Sequence, residues 1–167
     1  MQVSSTRSAW RIYMKDGVMA DGRLIARQVT SYADSGAYSR PTPYALTKHA
    51  ANAAGLYAIP NVAIDAYCVY TNRQPTSAMR GFGITMASFA IEVQMDKIAE
   101  AVGLDPWTIR FLNAYHNGDM KPHRKLAEDA TLIETMQAAA ALVGHELPAD
   151  LKAMTSAPRG AGHDGGR

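Results

Sequence analysis

The sequence predicts an α+β fold, with an N-terminal β-hairpin and a further strand packed with three C-terminal helices. Three features point that way. Alternation of apolar and polar residues is confined to residues 9–71, and helical spacing with recognisable end signals takes over across residues 85–143. Strands in one run and helices in the next belong to α+β architecture rather than to an alternating parallel-sheet one. A chain of 167 residues, 47% hydrophobic and 19% charged, also has single-domain size and enough apolar surface for a core.

The elements follow in order. Residues 9–15 place Trp10, Ile12 and Met14 on one parity and Arg11, Tyr13 and Lys15 on the other. Residues 23–34 form a second extended run. The pairs Asp16-Gly17 and Asp21-Gly22 lie between them and predict a hairpin with a long, wide loop. After the breaks at Ser35-Gly36 and Pro41-Thr42-Pro43, residues 44–54 are good helix formers and Gly55 is a stop. Residues 62–71 alternate again, with Val62, Ile64, Ala66, Cys68 and Tyr70 sharing a face.

Residues 85–102 predict a long helix whose apolar face carries Phe89, Ile91, Val93, Met95, Ile98 and Val102, while Glu92, Asp96 and Glu100 form a solvated stripe. Asp105 as N-cap and Pro106 in the first turn open the next helix, which is expected to run to about Tyr115. Thr131 and Glu134 have the spacing of a capping box ahead of a helix to about Val143. Residues 1–154 are thus expected to form one partial domain, and residues 155–167, rich in Gly, a disordered tail.

Composition narrows the function classes. A net charge of +2 sets up no field for nucleic acid or an anionic membrane, and no apolar run reaches membrane-helix length. The N-terminal residues lack a secretory apolar stretch, so a cytoplasmic, soluble protein is expected. One cysteine excludes a disulfide framework or a cysteine-built metal site; Cys68 reads as a small buried hydrophobe. His116 and His123 have no metal-ligand spacing, and the basic run at residues 121–125 has no interleaved aromatics and reads as a solvated or partner-facing loop. Lys48 reads as a surface lysine.

The segment Met79, Arg80, Gly81, Phe82, Gly83 stands apart. It lies between the clearest strand and the longest helix, with two glycines bracketing an aromatic residue directly after an arginine. Glycines admit close backbone approach by a ligand, and free N–H groups at a helix start favour an anionic atom. Arg80 adds forked positive donors and Phe82 a ring for a planar substrate. The same features also describe a tight turn with Phe82 in the core and Arg80 in solvent.

Several spaced blocks widen the view: Tyr57-Ala58-Ile59-Pro60-Asn61-Val62, Tyr70-Thr71-Asn72-Arg73-Gln74-Pro75, Ala78-Met79-Arg80-Gly81-Phe82-Gly83, and Phe89-Ala90-Ile91-Glu92 followed by Met95-Asp96 and Ile98-Ala99. Gly103-Leu104-Asp105-Pro106, Arg110-Phe111-Leu112-Asn113 and Asn117-Gly118-Asp119 continue the series, and Asp21-Gly22-Arg23 and Asp34-Ser35-Gly36-Ala37-Tyr38 precede it. In this order they resemble the molybdenum-binding large subunit of the xanthine dehydrogenase/aldehyde oxidase family, over most of residues 9–145.

The resemblance implies a molybdenum hydroxylase that inserts water-derived oxygen into an N-heteroaromatic or aldehyde substrate. It implies a molybdenum–molybdopterin cofactor in its cytosine dinucleotide form, with iron–sulfur clusters and FAD on partner domains or subunits. Met79, Arg80 and Gly81 would bind cofactor, the Arg80 N–H reaching an oxo ligand of the metal, and Phe82 and Gly83 would meet substrate. Met79 stands where many members carry Phe. The family's glutamate base lies in a distant Gly-rich segment, and Glu92, Glu100, Glu128, Glu134 and Glu146 have no such surroundings. No catalytic residue or metal ligand is therefore assigned within this chain. The chain is expected to be a fragment that is inactive without the remaining part of the molybdenum subunit. A non-enzymatic α+β interaction module is the alternative, and a small-ligand protein binding an anion at this turn is a third.

Overall fold

In a computed structural model, residues 5–148 are described, and the expected disordered tail lies outside them. The strands are β1 (Thr6–Arg7), β2 (Trp10–Val18), β3 (Leu24–Gly36), β4 (Asn61–Tyr70) and β5 (Thr76–Ser77). The helices are α1 (Thr42–Asn52), α2 (Ile84–Val102), α3 (Pro106–Asn113) and α4 (Leu132–Leu142). Strands β2, β3 and β4 form one sheet in that order, and β1 pairs in parallel with β5, Thr6 opposite Thr76 and Arg7 opposite Ser77. The mixed α+β composition matches the sequence expectation. Among the described residues no helix is long and apolar enough to cross a membrane.

The hairpin differs from its expected form. Asp16 and Gly17 continue β2 instead of turning, and the turn is short: the Met19 amide donates to the Arg23 carbonyl and the Gly22 amide to the Met19 carbonyl. The reason is ionic. Asp16 is drawn inward by Arg27 of β3, whose Nε lies 2.6 Å from the Asp16 carboxylate, with both side chains almost fully buried. The guanidinium also donates to the Ala54 carbonyl at 3.1 Å, and Gln94 of α2 donates to the second carboxylate oxygen at 3.0 Å. Such a pair is expensive to desolvate and tolerable only when its remaining donors and acceptors are met, as they are here.

The backbone forms two compact units. The first comprises residues 5–16, 27–55 and 62–94; the second comprises residues 17–26, 56–61 and 95–148. In the first, alternate β3 residues Arg27, Val29, Ser31, Ala33 and Ser35 are buried, as period-two geometry requires. The opposite side is exposed and aromatic: the rings of Tyr13 and Tyr32 meet edge to face at 6.4 Å, and those of Tyr32 and Tyr67 stack at 5.2 Å. Of the expected shared face of β4, Val62, Ile64, Ala66 and Cys68 are half-buried while Tyr70 is exposed. Burial and the Asp34 charge push the Cys68 thiol up, against a Ser35 hydrogen bond.

In the second unit, Met95, Ile98, Ala99, Ile109, Phe111 and Leu112 are buried. Asn113 fastens the hairpin turn to α3, accepting from the Leu24 amide at 2.8 Å and donating to the Gly22 carbonyl at 3.0 Å. Gly22 is needed there: its φ is +90°, and a Cβ would strike Leu104 and Ile109.

The helix expectations hold with four corrections. Helix α1 starts at Thr42, inside the expected break, and ends at Asn52 rather than at residue 54. Asp105 caps α3 as expected, accepting from the Trp107 and Thr108 amides, but the helix ends at Asn113 rather than Tyr115. The Thr131 side chain makes no capping bond, so the capping box is absent; instead the Thr135 hydroxyl donates to the Thr131 carbonyl at 2.8 Å. On α2, Ile91, Met95 and Ile98 are buried, whereas Phe89 is 74% exposed and Val93 also faces solvent. Of the solvated stripe, Asp96 is paired with Arg110 at 2.8 Å.

Removing one partner of the buried pair, as in Asp16→Asn or Arg27→Met, is expected to destabilise the fold by about 3–5 kcal/mol in urea denaturation. The double apolar replacement Asp16→Leu/Arg27→Met should recover most of that loss, because no unpaired charge remains.

Candidate functional site

The path into Met79, Arg80, Gly81, Phe82 and Gly83 is fixed by polar contacts made before it begins. The Thr71 hydroxyl donates to Asp34 at 2.7 Å, the Ala37 amide to the Arg73 carbonyl, and the Thr71 amide to the Gly36 carbonyl. Burial raises the Asp34 pKa, but bonds from Thr71 and the Gly36 amide and the Arg73 charge outweigh it, so the carboxyl titrates below its ordinary value. Then β5 seats against β1, where the hydroxyls of Ser8, Thr42 and Thr76 bond one another at 2.9–3.2 Å in a buried triangle.

From that anchor the chain takes an unusual course. Four consecutive residues have positive φ: Arg80 at 37°, Gly81 at 75°, Phe82 at 43° and Gly83 at 94°. For Arg80 and Phe82 this region crowds Cβ against the backbone and costs of order 1–2 kcal/mol each. Strain of this kind persists only where neighbouring structure over-determines it, and it gathers at ligand-binding segments. Among the described residues none of the four N–H groups donates a hydrogen bond, while the Gly81 carbonyl accepts from the Ile84 amide and that of Gly83 from Ala87. The turn therefore gives two of its carbonyls to α2 and leaves its donors free. Met79, Arg80 and Gly81 are exposed and Phe82 is 36% exposed, so Phe82 does not enter the core.

Gly83 alone is buried, against the backbone of α1. A Cβ there would overlap the Ala45 carbonyl oxygen and come within 3.2 Å of the His49 backbone nitrogen. At Gly81, where φ is +75°, a Cβ would strike the methyl group of Thr85. Thr85 is itself held by Arg7, whose guanidinium donates to its hydroxyl at 2.6 Å beside the start of α2.

His49 is the group that sequence reasoning missed. It is 1% exposed, its ring lies 4.6 Å from that of Trp10, and Nε2 is 2.8 Å from the Ser31 hydroxyl. Burial lowers its pKa, partly opposed by a backbone group of Gly83. Nothing in the sequence marks it, since a histidine in a run of helix formers carries no local signal.

The remaining candidates are scattered. Lys48 is exposed, as expected. Residues 121–125 form a loop closed by the Met120–Leu126 bridge, with Lys121 and Pro122 half-buried and His123, Arg124 and Lys125 exposed. His116 lies 3.8 Å from Asp119, and among the described residues no group of side chains suited to a metal ion was found.

This strained turn with free donors, entering a long helix, is one of the blocks on which the resemblance in the sequence rests. The profile of the molybdopterin cofactor-binding domain matches residues 1–114. The chain belongs to that family. It falls within the xanthine dehydrogenase/aldehyde oxidase group of molybdenum oxidoreductases. The chain is 41% identical over 138 residues to the nicotinate dehydrogenase large molybdopterin subunit of Eubacterium barkeri, covering 82% of this chain and 32% of that protein. It is 36% identical over 121 residues to an aldehyde oxidoreductase of Megalodesulfovibrio gigas, covering 72% of this chain and 13% of the relative. The fold is similar to that of the aldehyde oxidoreductase from Desulfovibrio desulfuricans, with a TM-score of 0.81 and 28% identity over 86% of this chain and 16% of the other. The chain thus spans a third or less of the curated relatives it matches.

Two outcomes are expected. Gly83→Ala should cost at least about 2 kcal/mol in urea denaturation, since positive φ and a backbone collision act together, whereas Gly118→Ala, with φ +89° and open space around it, should cost nearer about 1 kcal/mol. The lowered His49 pKa also has a sign: the unfolded chain binds the extra proton, so this stability is complete above pH 6.5 and is lost as pH falls through the lower folded value. The urea midpoint should fall between pH 7.5 and 5.5, with a smaller drop in His49→Asn.

Proposed function

We propose that this chain forms part of the cofactor and substrate wall of a molybdenum hydroxylase large subunit, acting on an N-heteroaromatic or aldehyde substrate. The observation that carries the reading is the run of four left-handed residues, 80–83, with its N–H groups unpaired. Unpaired amides gathered in one short turn favour an anionic or oxygen-rich group, and the neighbouring guanidinium strengthens the preference. These donors fit a molybdopterin-held metal, and Met79, Arg80 and Gly81 would hold it. When bound, that group supplies two-electron oxidation of substrate with oxygen drawn from water.

Each residue has a role that follows from its own chemistry. The Arg80 amide donates to the anionic group, and its exposed side chain adds a forked, positively charged donor. Gly81 keeps that approach clear. Phe82 offers the face or edge of its ring to a planar substrate, and Gly83 sets the direction in which that ring is presented. Met79 forms a softer wall than an aromatic residue would. None of these side chains serves as a general base, so proton removal falls to the remaining part of the subunit. Electrons leave through iron–sulfur and FAD partners. The cytosine dinucleotide form of the cofactor, a cytoplasmic setting and inactivity of the chain alone belong to the same reading, as does the treatment of residues 1–154 as one partial domain.

Coexpression with the rest of a family large subunit tests it. Molybdenum content and hydroxylation of nicotinate, xanthine or an aldehyde should appear only in the combined protein. Within it, Arg80→Ala should reduce activity about fivefold, because an exposed charge contributes about 1 kcal/mol. Phe82→Ala should raise KM about three- to tenfold, as expected for one lost aromatic contact. Unchanged activity in both variants contradicts the assignment of the turn.

A further inference from the structure

His49 is a fully buried titratable group of the first unit, carried by the helix against which the turn packs. Its Nε2 is satisfied by Ser31 at 2.8 Å, and its ring rests on Trp10. Its other nitrogen, Nδ1, is buried without a hydrogen-bond partner. A buried polar atom left this way is costly, so such atoms persist where a partner is available in a working state of the protein. The helix that carries His49 is also the surface on which Gly83 sits, close enough that no side chain fits between Gly83 and the His49 and Ala45 backbone.

We propose that His49 is the positioning residue of the 80–83 turn, with Nδ1–H as donor to the Gly83 carbonyl and Ser31 fixing the ring through Nε2. The tautomer is then determined. The Ser31 hydroxyl donates to Nε2, the proton resides on Nδ1, and the ring is neutral. The influence of Gly83 on the ring agrees with this: it favours the charged form, which among backbone groups only a carbonyl acceptor can do. A carbonyl has two lone pairs, and Gly83 uses one for the Ala87 amide. The second is available to His49. Burial around the ring keeps this tether out of water, and the tether fixes the last left-handed residue before α2.

The placement of the turn by His49 needs no cofactor, but its consequence for catalysis rests on the function proposed above. The two can be separated. In the full chain, amide hydrogen exchange is followed at Ile84 and Ala87, whose N–H groups bond the Gly81 and Gly83 carbonyls. His49→Gln places its amide near the Nε2 position, and His49→Asn near that of Nδ1. The expected result is exchange at Ile84 and Ala87 accelerated tenfold or more in His49→Gln, and by less than threefold in His49→Asn. Val29→Ala, a buried change in β3 of the same unit, controls for general loosening and should leave the ratio of these two sites to other α2 amides unchanged. Equal acceleration in both His49 variants, or the same pattern in Val29→Ala, overturns the proposal. If exchange separates the variants while molybdenum loading of the combined subunit does not, the tether stands and the reading of the turn as a cofactor wall fails.

Discussion

The left-handed course of Arg80, Gly81, Phe82 and Gly83 is the constraint on which the rest of this structure depends. Two non-glycine residues held at positive φ are unfavourable in isolation, and the turn survives because both of its ends are fixed. On the incoming side, β5 is locked to β1 by backbone pairing and by the hydroxyls of Ser8, Thr42 and Thr76. On the outgoing side, Gly83 lies directly on α1, and the turn's carbonyls begin α2. The strain is thus imposed by long-range structure, and its product is a set of backbone donors with no internal use.

Such an arrangement demands a rigid base, and the first unit supplies one from polar groups as much as from apolar ones. Arg27, Asp16, the Ala54 carbonyl and Gln94 form a closed set in which each charge has a counterpart. Asp34 is met by Thr71, Gly36 and Arg73. Buried polar groups of this kind contribute little net stability compared with apolar replacements, but they penalise alternative packings heavily when one member is displaced. The second unit is organised differently, around apolar residues of α2 and α3 and a single amide, Asn113, that fastens the hairpin turn. It also holds a cost left unpaid: burial and the Asp119 charge push the Tyr115 phenol up to about 12, and its hydroxyl has no hydrogen-bond partner.

Much of this was legible in the sequence because local signals suffice for it. The alternation of β4, the length of α2, the Asp105–Pro106 start of α3 and the glycine at position 55 are decided within a few residues. The turn itself was legible as a segment, through its paired glycines and its resemblance to a family. Its backbone was not, since nothing local marks Arg80 or Phe82 for positive φ. The pairing of β1 with β5 joins residues about 70 apart and rests on two residues from each strand, too few for any periodicity. Asp16-Gly17 was misleading for a definite reason: a dipeptide suited to a turn is kept extended by an ion pair with a residue that the sequence cannot place beside it. Phe89 was misleading in another way, because an apolar residue at helical spacing need not face the core of its own unit.

The most direct test of the central claim is a crystal structure of the combined large subunit carrying its molybdopterin. The account predicts residues 80–83 still at positive φ, with the Arg80 amide within hydrogen-bond distance of an oxygen of the bound group and the Phe82 ring bordering the substrate cavity. A turn folded back onto its own chain with its amides satisfied internally, and the cofactor lodged elsewhere, contradicts it.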